Sequence, residues 1–356
     1  MSFYKNNNFV KVARVIADLK YGIPITLQNR NKKILVISAE RISKELFTKL
    51  ETLFSDIHLI ITKQRANFLF KNTSSNNYKI SCKDMVYDDV QNMAFSLNFK
   101  KSNTHYVCST KLEDQALKLL KSAELIPAIL TTEFTSNLKT GFRVNNLDIR
   151  YVNDYLLHIN DEIEEICSAD LKLKLARGEI KAFRSKFGKD HYAIIIHPNK
   201  TSLGIPLVRI HSSCFTGDLL ASIKCDCFNQ LQNAIKIMSE KGGGIILYLN
   251  QEGRGIGLTN KIRVYKAQSL GFDTVEANEN LGLEGDYREF NTATKILKLL
   301  GIEKIKLLSN NPIKAEDLIK GGINVESMIP HQYLNKGIKG YYQAKAEKLN
   351  HKIDYK

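Results

Sequence analysis

Three of the six cysteines in this chain fall within one short polar stretch, RIHSSCFTGDLLASIKCDCFNQL. Cys214, Cys225 and Cys227 form a C-x10-C-x-C arrangement there. Thiolates are strong zinc ligands, and a C-x-C pair can place two sulfurs on one ion. No fourth cysteine or paired histidine stands at a spacing that closes a structural site. The pattern therefore predicts a zinc ion with three protein ligands and an open position, where a bound water becomes a nucleophile near neutral pH.

The alternative for these cysteines is a set of buried, inert thiols. The neighbouring polar groups HSS, TGD and KCD argue against it, because inert cysteines usually lie in apolar surroundings. We therefore favour the zinc site.

A glycine-rich loop follows the cysteine region. An apolar run ending in YLN leads into QEGRGIG, residues 251–257, and a helical pattern comes next. Glycine allows close backbone approach, and a loop that opens a helix presents free N–H groups to an anion. Arg254 adds a fork of donors for phosphate oxygens. The loop matches neither the P-loop nor the dinucleotide fingerprint, and glycines at such turns also occur for steric reasons alone, so the phosphate site is a hypothesis at this stage.

Two further polar clusters come later in the chain. Asp286 and Arg288, in GDYREF, offer a proton acceptor and a cation or nucleophile two positions apart. The run SNNPIK has the turn character of a substrate loop after the strand pattern KIKLL. Each cluster alone is more often surface charge, so their weight comes from occurring together.

Alternating helix and strand patterns position these residues. The first ~165 residues contain helix patterns such as VARVIADLKYG and strand patterns such as KKILVIS. A polar stretch over 131–178 separates this part from a second one, which begins at DHYAIIIH and carries the site residues. We predict a mixed α/β (α+β) chain with two domains, 1–165 and 178–356, the second a layered fold with its zinc site on loops. The basic C-terminal segment is expected to be a solvated helix or tail.

Composition limits the function classes. The 356 residues, 43% of them hydrophobic, indicate a soluble globular protein, and no apolar run is long enough to cross a bilayer. Six unevenly placed cysteines and the absence of a signal-peptide pattern favour a reducing, cytoplasmic location. The net charge of +15 permits a phosphate-rich partner, but lysine is abundant throughout and no arginine-rich run appears. We therefore expect no nucleic-acid partner.

Five motifs, taken in order over residues 183–351, resemble those of GTP cyclohydrolase II. They are RIHSSC-x10-CDC, YLNQEGRGIGL-x2-K, DTVEAN, LG-x3-DYREF and LLSNNP-x-K. The resemblance implies that this zinc enzyme opens the imidazole ring of GTP at the first step of riboflavin biosynthesis. Formate and pyrophosphate are released, and 2,5-diamino-6-(5-phosphoribosylamino)pyrimidin-4(3H)-one remains. The resemblance also implies one Zn²⁺ per subunit, Mg²⁺ at the substrate phosphates, and a homodimer.

Matching the motifs position by position makes the three cysteines the zinc ligands. Asp286 takes the place of the family's proposed proton acceptor, Arg288 that of its proposed nucleophile toward the α-phosphate, and Tyr265 that of a further active-site residue. The positions implied in GTP binding are Arg209, Gln230, Glu252, Gly253, Arg254, Thr274, Ser309 and Lys314.

The chain departs from the family pattern at three positions in or next to these motifs. Ser213 stands where the family usually has Glu, Phe228 where it has Gly, and Ser309 where it has Thr. Ser309 keeps a hydroxyl group. Because Ser213 and Phe228 flank zinc ligands, we expect them to alter the hydrogen bonds and backbone around the site.

The N-terminal half resembles dihydroxybutanone phosphate synthase in outline, through VARVIADLKYGIPITL. Where that synthase has an acidic, magnesium-binding run, this chain reads LQNRNKKILVISAE, which offers too few carboxylates for such a site. We predict a structural or regulatory domain without synthase activity.

Two alternatives to the full cyclohydrolase reaction stay open at this stage. One is an inactive relative that binds nucleotide or nucleic acid. The other is an enzyme that performs only part of the reaction, such as pyrophosphate release without ring opening.

Overall fold

The computed structural model describes residues 2–30, 32–71, 75–97, 105–135, 144–159, 162–197, 199 and 204–331. These residues form two compact units. The first unit takes those within 1–157 together with Thr259–Gly285, and the second takes those within 158–258 and from Asp286 onward. Each contains one seven-stranded sheet with helices, which confirms the prediction of a mixed α/β chain with two domains. The predicted C-terminal helix or tail lies outside the described residues.

The secondary-structure elements are numbered in chain order. The helices are α1 (Ser2–Lys20), α2 (Lys44–Leu53), α3 (Lys63–Phe70), α4 (Tyr87–Phe95), α5 (Lys111–Ser122), α6 (Arg150–His158), α7 (Cys227–Glu240), α8 (Leu258–Ser269), α9 (Thr274–Asn280), α10 (Asn291–Leu299) and α11 (Pro312–Lys320). The strands are β1 (Ile25–Gln28), β2 (Lys33–Ser38), β3 (His58–Ile61), β4 (Tyr78–Ser81), β5 (Tyr106–Cys108), β6 (Ala128–Glu133), β7 (Asn145–Asp148), β8 (Ile163–Lys172), β9 (Arg177–Ser185), β10 (Asp190–Ile196), β11 (Leu207–Ser212), β12 (Gly244–Leu249), β13 (Lys304–Leu308) and β14 (Asn324–Ile329).

The first unit is built on a sheet with the strand order β5-β4-β3-β6-β2-β1-β7. Neighbouring strands are antiparallel except for β1 and β7, which run parallel. Helix α5 shows why the helices cover this sheet: it begins with a capping box between Thr110 and Glu113 and buries Leu112, Leu119 and Leu120 on one face.

The stretch Thr259–Gly285, which contains most of α8 and all of α9, belongs to the first unit. Its buried Asn260 donates to the carbonyl oxygen of Glu124 at 2.9 Å, and Arg263 pairs with Glu40 at 2.8 Å. The sequence assigns this stretch to the domain 178–356. The domain limits drawn from the sequence therefore stay a prediction, and the compact units divide the chain differently because of these contacts.

The second unit has the strand order β14-β13-β11-β12-β10-β9-β8. The strands from β14 to β12 run parallel, and those from β12 to β8 are antiparallel. Successive residues of β12 point to opposite faces: Ile245 and Leu247 pack with α10 and α11, and Ile246 packs with α7. The carboxyl ends of β11 and β12 therefore lie side by side, and they lead directly into the cysteine stretch and the glycine loop.

Among the described residues, no helix combines the length and the apolar character needed to cross a membrane.

Candidate metal centre and nucleotide loop

The three predicted zinc ligands lie together in the second unit. Cys214 follows the end of β11, Cys225 lies on the next loop, and Cys227 is the first residue of α7. Their sulfur atoms all lie within 4.8 Å of one another, and the Sγ atoms of Cys214 and Cys225 are 3.6 Å apart. None of the three forms a disulfide. The site is therefore carried by two loop residues and one helix terminus.

Gly217 leaves the space that a metal would need. A Cβ added to it would lie 2.8 Å from Cys225 Sγ, 2.9 Å from Cys214 Sγ and 2.8 Å from Cys227 Cβ. A soft, three-sulfur donor set around a gap of this kind fits Zn²⁺, which prefers thiolate ligands in tetrahedral geometry. The residues present thus fit the metal that the sequence predicts.

The close approach of the three thiols raises the pKa of two of them. The pKa of Cys225 is raised to about 11, first by the neighbouring Cys214, and the pKa of Cys227 is raised well above its usual value by both other cysteines and by burial. Thiols must lose their protons to bind a metal ion, and three thiolates this close together are stabilised by a positive charge among them.

Asp218 organises the backbone around the first cysteine. Its carboxylate accepts hydrogen bonds from the backbone N–H of Cys214 at 2.9 Å and from the hydroxyl of Tyr248 at 2.8 Å. It also lies 3.0 Å from Nε2 of His211, whose ring stacks on Tyr248. Sequence reasoning missed this role, although the residue belongs to the TGD motif. The contacts hold the turn after β11 in place next to the thiols.

A buried arginine lies beside this network. Arg209, 5% exposed, donates to Gln230 Oε1 at 2.6 Å, and it lies 2.8 Å from Nδ1 of His331. Burial lowers the pKa of Arg209 to about 10, and burial together with Arg209 lowers the pKa of His331 to about 3. The structure thus brings together Arg209 and Gln230, both implied in GTP binding, and adds His331, which no sequence motif indicated.

The glycine loop contacts the cysteine turn through Glu252. One carboxylate oxygen accepts from the backbone N–H of Phe215 at 2.5 Å, and the other accepts from that of Gly253 at 2.9 Å. Gly253 and Arg254 both have positive φ, of 61° and 62°, and a non-glycine residue in that conformation is strained. The Nη1 atom of Arg254 is buried and has no hydrogen-bond partner among the described residues. A buried, unpaired guanidinium donor suits an anionic ligand.

Asp286 and Arg288 form a bidentate ion pair. Nε of Arg288 lies 2.9 Å from Oδ1 of Asp286, and Nη2 lies 2.5 Å from Oδ2. Burial raises the pKa of Asp286, but the hydrogen bonds and charge of Arg288 outweigh that effect and leave the pKa lowered. The carboxylate is therefore ionised at neutral pH.

Ser309 and Lys314 lie at the start of the loop after β13 and in α11. Asn311 N–H donates to Ser309 Oγ at 3.1 Å, and Lys314 Nζ donates to the carbonyl oxygen of Ile210 at 2.7 Å. Both side chains are buried. The lysine thus supports β11 at Ile210, four positions before Cys214.

Comparison with known proteins agrees with this geometry. The sequence model for GTP cyclohydrolase II matches residues 164–330. GTP cyclohydrolase-2 of Xylella fastidiosa (strain 9a5c) is 32% identical over 352 residues, which cover 97% of this chain and 88% of that protein. The chain belongs to the GTP cyclohydrolase II family.

A second relative and one solved structure match this chain over different shares of its length. GTP cyclohydrolase-2 of Azospirillum brasilense is 39% identical over 247 residues, 67% of this chain, and the match spans 64% of that protein's length. Among solved structures, RibBX from A. baumannii, described as a two-domain 3,4-dihydroxy-2-butanone 4-phosphate synthase, covers 91% of this chain and 99% of its own. Its sequence identity is 16% and its TM-score is 0.30, so no role is transferred from it.

Two residues that the GTP cyclohydrolase II resemblance assigns to the active site lie in the first unit. Tyr265 is in α8, with the ammonium of Lys261 5.8 Å from its ring centroid, and Thr274 is the first residue of α9. The roles of both stay predictions.

The departures from the GTP cyclohydrolase II pattern affect the structure unequally. Phe228 lies in the first turn of α7, and its φ is not positive, so the position does not need glycine. Ser213 donates its backbone N–H to the carbonyl oxygen of Leu249 at 2.8 Å, and its Oγ is buried without a partner among the described residues.

Proposed function

We propose that this chain is a zinc-dependent GTP cyclohydrolase that catalyses the first step of riboflavin biosynthesis. The products are 2,5-diamino-6-(5-phosphoribosylamino)pyrimidin-4(3H)-one, formate and pyrophosphate. The observation that carries the proposal is the convergence of three thiols around the gap at Gly217, in a member of this family.

Cys214, Cys225 and Cys227 would hold the zinc ion. When bound, zinc with an open fourth position supplies Lewis acidity and a water of lowered pKa for attack on the guanine ring and on the resulting formamide. Asp218 and Glu252 hold the backbone at and after Cys214, so they fix the direction of the first thiol.

The donors of the second unit support binding of the triphosphate. Arg254 has a buried, unpaired Nη1, and Arg209 is oriented by its hydrogen bond to Gln230. Such donors offset phosphate charge at a fixed position, and Mg²⁺ would arrive with the phosphates. Asp286 would accept a proton, and Arg288 would act toward the α-phosphate. We also propose a homodimer and a cytoplasmic location. The location is supported by the six cysteines, none of which forms a disulfide among the described residues.

The test is formate release from purified protein with GTP and magnesium, together with a zinc measurement on the same sample. We expect about one zinc per chain, and loss of both zinc and formate in Cys225→Ser. Cys167→Ser is the matched control, because Cys167 is an exposed, free cysteine of the same unit.

Other reaction products would contradict the proposal and indicate a different function. Pyrophosphate without formate would indicate the partial reaction. GTP binding without any product at full zinc loading would indicate a nucleotide-binding relative of the enzyme.

A further inference from the structure

The stretch Thr259–Gly285 is here called the inserted segment. It carries Tyr265 and Thr274, yet it packs within the first unit. Along the chain it follows the glycine loop directly, and it ends one residue before Asp286. Its two ends are therefore joined along the chain to the stretches that carry Arg254 and Asp286.

Arg65 of α3 binds the inserted segment near its C-terminal end. Its side chain is 1% exposed, and its guanidinium donates to the carbonyl oxygens of Met93 at 2.9 Å and of Asn92 and Ser96 at 2.8 Å. It also donates to the carbonyl oxygen of Asn280. Three of these acceptors close the carboxyl end of α4, and the fourth is the last residue of α9. A cation placed between two helix carboxyl ends is stabilised by both sets of unpaired carbonyls.

Thr62 adds a second contact at the same place. Its hydroxyl accepts from the backbone N–H of Arg65 as the N-cap of α3, and it donates to the carbonyl oxygen of Gly282 at 2.8 Å. Gly282 has a φ of +76°, and a Cβ there would lie 2.8 Å from Thr62 Oγ1. The close approach of the two backbones thus requires glycine in the inserted segment and a small hydroxyl residue in α3's cap.

The near end of the inserted segment is held as well. Asn260 is fully buried and donates to the carbonyl oxygen of Glu124 at 2.9 Å, and Arg263 pairs with Glu40, whose side chain is 10% exposed. Polar contacts therefore fix α8 at its start and α9 at its end. Buried polar pairs of this kind specify one arrangement, because any other leaves a group unpaired.

We infer that the rest of the first unit, within residues 1–157, serves the cyclohydrolase reaction as a clamp on the inserted segment, with Arg65 and Thr62 as positioning residues. The inference rests on the proposed function. It gives a purpose to a domain whose sequence lacks the acidic run of the synthase it resembles. Arg65 and Thr62 act through main-chain carbonyl oxygens of the inserted segment.

Thr62→Val tests the clamp, with Thr110→Val as its matched control. Both threonines are N-caps in the first unit, but Thr110 caps α5 and bonds Glu113 instead of the inserted segment. Hydrogen exchange of peptides covering 274–284, zinc content, and kcat and KM for GTP are measured on the full chain. Thr62→Ser restores the hydroxyl, and Arg65→Lys, which keeps the charge but cannot reach both helix ends, is the second variant.

We expect Thr62→Val to exchange about five- to tenfold faster in the inserted segment and to lose about tenfold in kcat/KM, with zinc content unchanged. Arg65→Lys should do the same, Thr62→Ser should recover both values, and Thr110→Val should change neither. Equal exchange in Thr62→Val and Thr110→Val would overturn the clamp. Faster exchange with unchanged kinetics would overturn the positioning role alone, whereas a wild type that makes no formate would overturn the proposed function with it.

Discussion

Replacing Gly217 with alanine fills the space that the three thiols surround. The new Cβ would lie 2.8 to 2.9 Å from two sulfur atoms and from Cys227 Cβ. Ordinary contacts between such atoms need roughly 3.5 to 4.0 Å, so each neighbour would have to move by about 0.7 Å or more. The φ of Gly217 is not positive, so the substitution adds no backbone strain and its effect is steric.

This displacement is large for a metal site. Zinc–sulfur bonds are about 2.3 Å long and tolerate deviations of about 0.2 Å. Moving two of three ligands by several times that tolerance should weaken zinc binding by about 100-fold, which corresponds to about 2.8 kcal/mol. Formate release from GTP should fall with zinc occupancy.

Competition with a coloured chelator measures the zinc affinity of both proteins. Gly204→Ala is the matched control, because that glycine lies in the same unit, has nothing within 4 Å of an added Cβ and has no positive φ. The reasoning is refuted if Gly217→Ala binds one zinc per chain with an affinity within threefold of the wild type.

Two other substitutions probe the second unit. Burial lowers the pKa of His191 to about 4, and its Nδ1 accepts from the backbone N–H of Asn250. In the unfolded chain this histidine titrates near pH 6.5, so its contribution to the free energy of unfolding is complete above that pH and is lost as the pH falls toward 4. Between pH 7 and pH 5 the free energy of unfolding of the wild type should therefore fall by about 2 kcal/mol more than that of His191→Asn, as measured by urea unfolding. Asp218→Asn should destabilise the unit by about 2 kcal/mol in calorimetry and lower zinc affinity by about 10- to 100-fold, because the carboxylate accepts from Cys214 N–H and Tyr248 and faces His211. A zinc affinity equal to that of the wild type would contradict this role of Asp218.

Regular apolar patterns made most of the fold predictable. The runs KILVIS and GIILYL are buried strands, as their β-branched composition indicates, and the pattern of α5 places its leucines on one face. Strand β8 was not predicted, because nearly all of its residues are exposed and Glu164 and Glu165 break any alternation. It forms through main-chain pairing with β9. Local sequence carries no signal for a strand that buries neither face.

The residues of the candidate site were likewise only partly predictable from the sequence. The cysteines and the glycine loop were predictable because their residue types and short spacings carry the chemistry. His331 was not, since it meets Arg209 from 122 positions away. Asp218 lies only four residues after Cys214, but its partner Tyr248 comes from the neighbouring strand. Supporting residues of this kind become visible only when parallel strands bring distant segments to one edge of the sheet.

The two departures beside the cysteines have different consequences for the proposed reaction. Phe228 occupies a helical position with ordinary φ, so the backbone beside Cys227 does not require a glycine there. Ser213 also keeps its backbone in place through the bond to Leu249, which holds Cys214 beside β12. What Ser213 changes is charge: the family's usual glutamate would add a carboxylate next to three thiolates, and serine supplies a neutral hydroxyl with a buried, unpaired Oγ. The bond that holds the backbone at residue 213 does not involve its side chain, so the departure from the family pattern there changes the charge beside the thiols.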